Sequence, residues 1–453
     1  MSAARGQGAV RLARLLAAVF FRSVELTGGE RVPLRGPLVF VANHGNSLID
    51  PLLLLARLPR GARFLAKHTL WSNLAVRPLL ALADAIPVFR RQDGAEPASN
   101  DETFARCFDE LAAGGAIALF PEGISYHAPA LQPLKTGAAR IALGAERSRG
   151  PLGLRIVPVG LCFEDKATFR SRALLVVGDP LDPASELAQA ARDEREAVRA
   201  LTERIEAGLR AVTLNFASFE HWQLNPRAAD LYAEAAREMP GVAALGERFP
   251  LRRVFGEAYA AALEREPERV ARIEALVRDY DARLEASRLR DDQVSARYPL
   301  PLAARYVGSR AAVLAAALPV AAVGTLLNYV PYRVPGLVGR LGRREGDLPA
   351  TYKLLTGLLL APLCWALEAG AAAALAGPRA AAAVLVLAPL SGWFALRFHE
   401  RNESFFRELR AWLTLRLSPG RAAELRRRRA AIRDEIERLV SDATQPRPGG
   451  MPG

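Results

Sequence analysis

Where an apolar run gives way to polar residues, at Asn43-His44-Gly45-Asn46-Ser47-Leu48-Ile49-Asp50, the chain offers an imidazole and a carboxylate close together. Imidazole is the side chain whose ordinary pKa lies near neutrality, and a carboxylate at one of its ring nitrogens fixes the tautomer. Such a pair is the minimum equipment of a general base acting on an alcohol. The same two residue types also occur as a capped turn or a satisfied core histidine, so the pair alone leaves both readings open. Metal binding is the weaker alternative, because no third ligand stands nearby and His68 and His127 have no ligand-like spacing to the pair.

The elements that would carry this pair can be read from apolar runs and turn formers. Leu38–Ala42 is short, apolar and bounded by turn residues, as a strand buried on both faces of a sheet should be. Asp50 is a good N-cap and Pro51 suits a first helical position, so a helix is expected to begin there. Residues that far apart on a helix do not share a face, so His44 and Asp50 can meet only if Gly45–Leu48 form a turn. Further strands are expected at Arg63–Ala66, Ala85–Phe89, Ala116–Phe120 and Ile156–Leu161, and Ser23–Val32 reads as a strand and a Gly-Gly turn. Helices are expected over Leu74–Ala83, where Pro78 marks a kink or the true start, over Asn100–Ala113, and from Leu134-Lys135-Thr136-Gly137 to about Ala145. Strands alternating with helices predict an α/β fold with a mostly parallel central sheet flanked by helices.

In such a sheet the polar groups following the strands gather at one edge. Arg90 and Arg91, Glu122 with Gly123, and His44 with Asp50 all follow a predicted strand closely, and Lys135 stands at a predicted helix start. Guanidinium and ammonium groups beside helical N–H groups suit phosphate. Each cluster has a dull alternative, a solvated Arg pair or a plain Pro-Glu-Gly turn, and it is their order that carries weight.

That ordered set resembles the PlsC-type glycerophospholipid acyltransferases, a family with four sequence blocks. Asn43-His44-Gly45-Asn46-Ser47-Leu48-Ile49-Asp50 is similar to the first, Ile86-Pro87-Val88-Phe89-Arg90-Arg91 to the second, Phe120-Pro121-Glu122-Gly123-Ile124-Ser125 to the third, and Ile156-Val157-Pro158-Val159-Gly160 to the fourth. The resemblance covers about residues 24–215. The common first block has four residues between His and Asp, whereas here Gly45 to Ile49 intervene, which resembles the branch containing the yeast-type glycerol-3-phosphate/dihydroxyacetone-phosphate acyltransferases. Ile124 stands where Thr is usual, so a hydroxyl contact is lost or is taken over by Ser125. The resemblance implies transfer of a fatty acyl group from a thioester, acyl-CoA or acyl carrier protein, to a hydroxyl of a glycerol-phosphate acceptor. It implies His44 as general base, Asp50 as its partner, and Arg90, Glu122, Gly123 and Lys135 in acceptor and phosphate binding, with no metal or bound cofactor. An acyltransferase for another lipid acceptor, or a non-catalytic membrane lipid-binding protein of the same fold, are the alternatives.

Composition bears on partners. The 453 residues carry a formal net charge of +13 with 51% hydrophobic residues, a balance suited to anionic lipid surfaces. No zinc-ligand pattern, RNP-like aromatic motif or heptad following a basic region points to nucleic acid. Cys107, Cys162 and Cys364 are widely separated in apolar settings, which fits reduced thiols and a cytoplasmic catalytic part. Residues 1–23 thread Arg11, Arg14 and Arg22 through apolar positions, predicting an amphipathic helix at a membrane interface. Beyond the 24–215 catalytic stretch, 216–300 is charged and helical and predicts a connector, and 301–400 holds the apolar runs 311–330, 354–376 and 380–398. Basic residues flank the last two runs on both sides, so they fit a hairpin with cytoplasmic ends, while 311–330, with Pro319, Gly324 and Asn328, is expected to be re-entrant or interfacial. Three Ala-rich soluble helices would be the alternative. Residues 401–453 predict a basic helix and, from Thr444 on, a tail without fixed structure.

Overall fold

The computed structural model describes residues 3–89, 99–218, 220–221, 224, 227–231, 244–295, 300–341 and 348–444. The chain forms two compact units: residues 1–215 with 244–247 and 339–355, and residues 216–243 with 248–338 and 356–453.

The first unit is built on a seven-stranded sheet. Its strands are β1 (Ser23–Thr27), β2 (Leu38–Ala42), β3 (Arg63–Lys67), β4 (Ile86–Val88), β5 (Ala116–Leu119), β6 (Arg155–Phe163) and β7 (Arg172–Val177), in spatial order β1-β7-β6-β2-β5-β3-β4. All neighbours are parallel except β6 and β7. β2 lies between β5 and β6, and every residue from Leu38 to Ala42 is buried, as its unbroken apolar run requires. The central position matters chemically: the segments leaving β2, β5 and β6 emerge side by side. β7 was not foreseen. It follows β6 directly and reverses direction, and the helix after it returns to the sheet instead of intervening between the two strands.

Helices cover the sheet. The first two, α1 (Ala3–Phe20) and α2 (Ile49–Arg57), pack on each other, and Arg14 Nε donates to the Ala56 carbonyl. Ala9, Ala13, Leu16, Ala17 and Phe20 are buried, so much of the apolar face expected to meet lipid is turned into this unit, with Leu15 and Val19 left outside. α3 (Arg77–Leu82) has Pro78 in its first turn, so that proline marks a start and not a kink. α4 (Ser99–Ala112), α5 (Gly137–Arg149), α6 (Ala184–Ala190) and α7 (Glu194–Val212) follow. An ideal Cβ on Gly160 of β6 would stand 1.7 Å from the Val212 carbonyl oxygen, so this strand and the end of α7 touch backbone to backbone.

The second unit is helical. Helices Leu245–Arg265, of which all but the first residues belong here, and Pro267–Ser287 bury Tyr259, Val270, Ile273 and Tyr280 in a core that includes Leu425, Ile432 and Ile436 of the basic helix Pro419–Thr444. The basic tail helix is thus a packed element, with Arg429 paired to the buried Asp291. Residues 445–453, expected to lack fixed structure, lie outside the described residues.

Among the described residues, three helices are long and apolar enough to cross a membrane: Gly308–Leu327, Pro349–Ala376 and Pro378–Leu417. They meet through small and polar residues within this unit. An ideal Cβ on Gly324 would lie 2.2 Å from the Ser391 carbonyl oxygen, and one on Gly392 would lie 2.6 Å from the Asn328 side chain. The Asn328 side chain donates to the carbonyls of Gly324 and Ala388 and accepts from Trp365 Nε1. Satisfied amides of this kind hold apolar helices together where no water competes.

Candidate active site

Leaving β2, the chain turns sharply. Asn43 is clamped to Leu161 of β6 through both of its side-chain atoms, Nδ2 to the carbonyl and Oδ1 from the N–H. Ser47 then takes a left-handed conformation, φ 42°, which reverses the backbone before α2 begins. The five residues between His44 and Asp50 are accommodated by that reversal, and the two side chains meet: His44 Nδ1 lies 2.9 Å from Asp50 Oδ2.

The expected N-cap needs correction. α2 starts at Ile49 with Leu48 before it, so Asp50 stands inside the first turn. Its Oδ2 accepts from the N–H groups of Gly45 and Asn46 as well as facing His44 Nδ1. Helical geometry thereby turns the carboxylate back onto the preceding loop, and Asp50 is fully buried while the His44 side chain keeps part of its surface open. With Nδ1 engaged, Nε2 of His44 remains for chemistry. The imidazole stacks on Phe120, with ring centroids 4.1 Å apart and planes 13° from parallel. Phe120 was quoted in the sequence only as part of a block; its ring sets the plane of the imidazole.

β5 runs beside β2 and delivers Pro121-Glu122-Gly123 to the same place. Glu122 is buried and uses both oxygens on backbone: Oε2 accepts from the His44 N–H at 2.7 Å and Oε1 from the Gln132 N–H at 3.0 Å. Burial pushes its pKa up from the ordinary carboxylate value, opposed by those two N–H groups. Gly123 has φ +80°, and an ideal Cβ there would fall 2.7 Å from Lys135 Nζ, so the lysine side chain lies directly over the glycine. Lys135 is held there by its own N–H, bonded to the Pro121 carbonyl two residues ahead of α5. Ser125 Oγ accepts from the Ser47 N–H, a contact between the third block and the first. Arg90 and Arg91 lie outside the described residues.

A cavity of about 530 Å³ adjoins the turn. His44, Lys67, Gly123 and Lys135 line it, and much of the remaining wall is apolar, including Leu52, Leu55, Phe64, Leu79 and Phe104. Lys67 stood in the sequence at a strand exit without a role; the parallel packing of β3 beside β5 brings it to the same cavity. The geometry is that of an oriented imidazole and two ammonium groups at the wall of a largely apolar cavity. Among the described residues no three His, Cys, Asp or Glu side chains are grouped to hold a metal ion.

Residues 23–162 match the family model described as Acyltransferase. Glycerol-3-phosphate O-acyltransferase 2 of Saccharomyces cerevisiae is 30% identical over 289 residues, covering 60% of this chain and 38% of that protein, so the chain spans well under half the length of this relative. An uncharacterised acyltransferase of Schizosaccharomyces pombe is 25% identical over 94% of this chain and 78% of its own length. Among solved structures, the crystal structure of the 1-acyl-sn-glycerophosphate acyltransferase PlsC from Thermotoga maritima aligns at 20% identity over 46% of this chain and 78% of that one, with a TM-score of 0.35.

Proposed function

We propose that residues 23–162, which match the Acyltransferase family model, are a catalytic domain of that kind, and that the protein moves a fatty acyl group from a thioester, acyl-CoA or acyl carrier protein, to a hydroxyl of a glycerol-phosphate acceptor. The observation that carries the reading is the oriented His44–Asp50 pair beside a largely apolar cavity.

A thioester is already activated, so the enzyme has to supply an alkoxide-like nucleophile and a place for negative charge. His44 Nε2 takes the proton of the acceptor hydroxyl as that oxygen bonds to the thioester carbonyl carbon. Asp50 holds Nδ1–H and stabilises the imidazolium, as the aspartate does in hydrolytic triads. The tetrahedral oxyanion collapses, the carbon–sulfur bond breaks, and the departing thiolate takes the proton back from Nε2. Ester and thiol are the products, the base is regenerated, and no metal or bound cofactor enters. Backbone N–H groups near Gly123 face the oxyanion. Lys135, Lys67 and Arg90 hold the acceptor phosphate, and Glu122 acts by fixing the His44 and Gln132 backbones around the acceptor. The catalytic domain faces the cytoplasm, where the thioester is available.

The test is an assay of the full chain in detergent micelles with palmitoyl-CoA and, separately, glycerol 3-phosphate, dihydroxyacetone phosphate and lysophosphatidate. Ester formation with one of these is expected, and His44→Ala should lower turnover by about 10²–10⁴-fold while the thermal melt stays in place. A folded His44→Ala protein with near-normal turnover would end the mechanism. Absence of transfer to every acceptor would favour a lipid-binding protein of the same fold.

A further inference from the structure

The wall of the cavity is not made only by the amino-terminal sequence. Residues 339–355 belong to the first unit although they lie more than a hundred positions beyond its main body. There the helix Pro349–Ala376 begins, and Leu348, Tyr352 and Leu355 line the same cavity as His44. The segment is fastened at two points. Thr351 is buried, 8% exposed, and its Oγ1 accepts from the Leu48 N–H, one residue past the left-handed Ser47. Lys353 Nζ donates to the Ala167 carbonyl at 2.6 Å. The neighbouring Lys166 donates to the Gly45 carbonyl and accepts from Asn46 Nδ2, so the second fastening also leads to the His44–Asp50 turn.

We propose that residues 348–355 are a specificity and positioning element of the acyl-transfer site: Leu348, Tyr352 and Leu355 form the face against which the acyl chain lies, and Thr351 holds the turn that aims His44. This rests on the acyltransferase reading above. The physical basis is that an apolar chain is recognised by the area it buries, so the side chains of a cavity wall set the length that fits. The Leu48 N–H is an orphan donor at the start of α2, and without an acceptor it would be buried unsatisfied or would draw the turn towards another partner. Thr351 is therefore a positioning residue and not a catalytic one.

Two sets of variants of the full chain in micelles test this. In the first, Leu355→Trp and Leu355→Ala are compared with the parent for binding of non-hydrolysable acyl-CoA thioethers of graded chain length. The tryptophan should displace the preference to shorter chains, losing about 4-fold in affinity for each methylene that no longer fits, and the alanine should favour longer ones. In the second, Thr351→Val should lower kcat by about tenfold with the donor KM unchanged, and Thr351→Ser should restore it. Identical chain-length profiles for parent and both Leu355 variants would overturn the wall. A Thr351→Val protein with parental kcat, or one that Thr351→Ser fails to rescue, would overturn the positioning role. Because thioether binding needs no turnover, a chain that binds but transfers to no acceptor would refute the acyltransferase reading while leaving the wall to be judged by the Leu355 profiles.

Discussion

Glu122 and Ser47 are the residues in which the local physics of the site is most exposed to measurement. Burial raises the Glu122 pKa above the ordinary value of 4.5. Between that value and the raised one, the folded chain keeps a proton that the unfolded chain has shed, so this group's contribution to stability falls as pH climbs through the window. Glu122→Gln should remove that part of the slope. It should also cost about 1–3 kcal/mol at neutral pH, because the amide NH2 would oppose one of the two backbone donors now facing a carboxylate oxygen. Denaturant melts over a pH series check both outcomes. Ser47 sits at φ 42°, where a side chain costs about 1–2 kcal/mol and a β-branched one more. Ser47→Gly should keep or raise stability and Ser47→Val should lower it by about 1–2 kcal/mol, read from the same melts. The meeting of His44 and Asp50 was legible in the sequence only as a condition, since the spacing lets the two side chains meet across a turn at Gly45–Leu48 and not along a helix. The tasks of Glu122 and Phe120 were not, because both depend on β5 lying beside β2, a pairing between strands remote in sequence.

At the scale of elements, the apolar runs announced five of the seven strands nearly to the residue, and a sixth, β1, was expected within the longer Ser23–Val32 stretch. Such runs mark strands buried on both faces, where every position must be apolar. β7 escaped because the alternation of strand and helix predicts a crossover after β6, whereas the chain simply turns back. Asp50 was misplaced as a cap because Asp-Pro is a frequent helix start, and sequence alone cannot tell a carboxylate capping its own helix from one reaching back to the loop before it. The fourth block has its own account: Gly160 is where β6 and α7 meet, and an added methyl would overlap the Val212 carbonyl. Gly160→Ala should therefore destabilise the fold by about 3 kcal/mol or more, seen as a lowered thermal midpoint with the loss extending to the site through the Asn43–Leu161 clamp.

For the whole molecule, the contacts among the apolar helices predict how they thread. Asn328 ends the first, and its partners Trp365 and Ala388 lie well inside the other two. From there the helix Tyr329–Leu341 runs back along the second, Pro335 near Gly357 and Gly339 against Lys353. The expected threading is a hairpin that enters to mid-depth and returns, with residues 356–376, about 31 Å of helix, as the first full crossing. Single cysteines replacing Leu34, Arg340 and Arg379 in a cysteine-free background should separate accordingly. An impermeant maleimide should label the first two from one face of sealed vesicles and the third only from the other, and labelling of position 340 from the face opposite position 34 would refute the hairpin. The hydrogen bond from Leu48 to Thr351 makes the same demand by arithmetic. Two groups in contact share a side of any membrane, so the chain between them crosses an even number of times. Among the described residues that interval holds one helix capable of crossing, Gly308–Leu327. One is odd, so the path expected of that helix is one that enters and returns with its neighbour to the side it left.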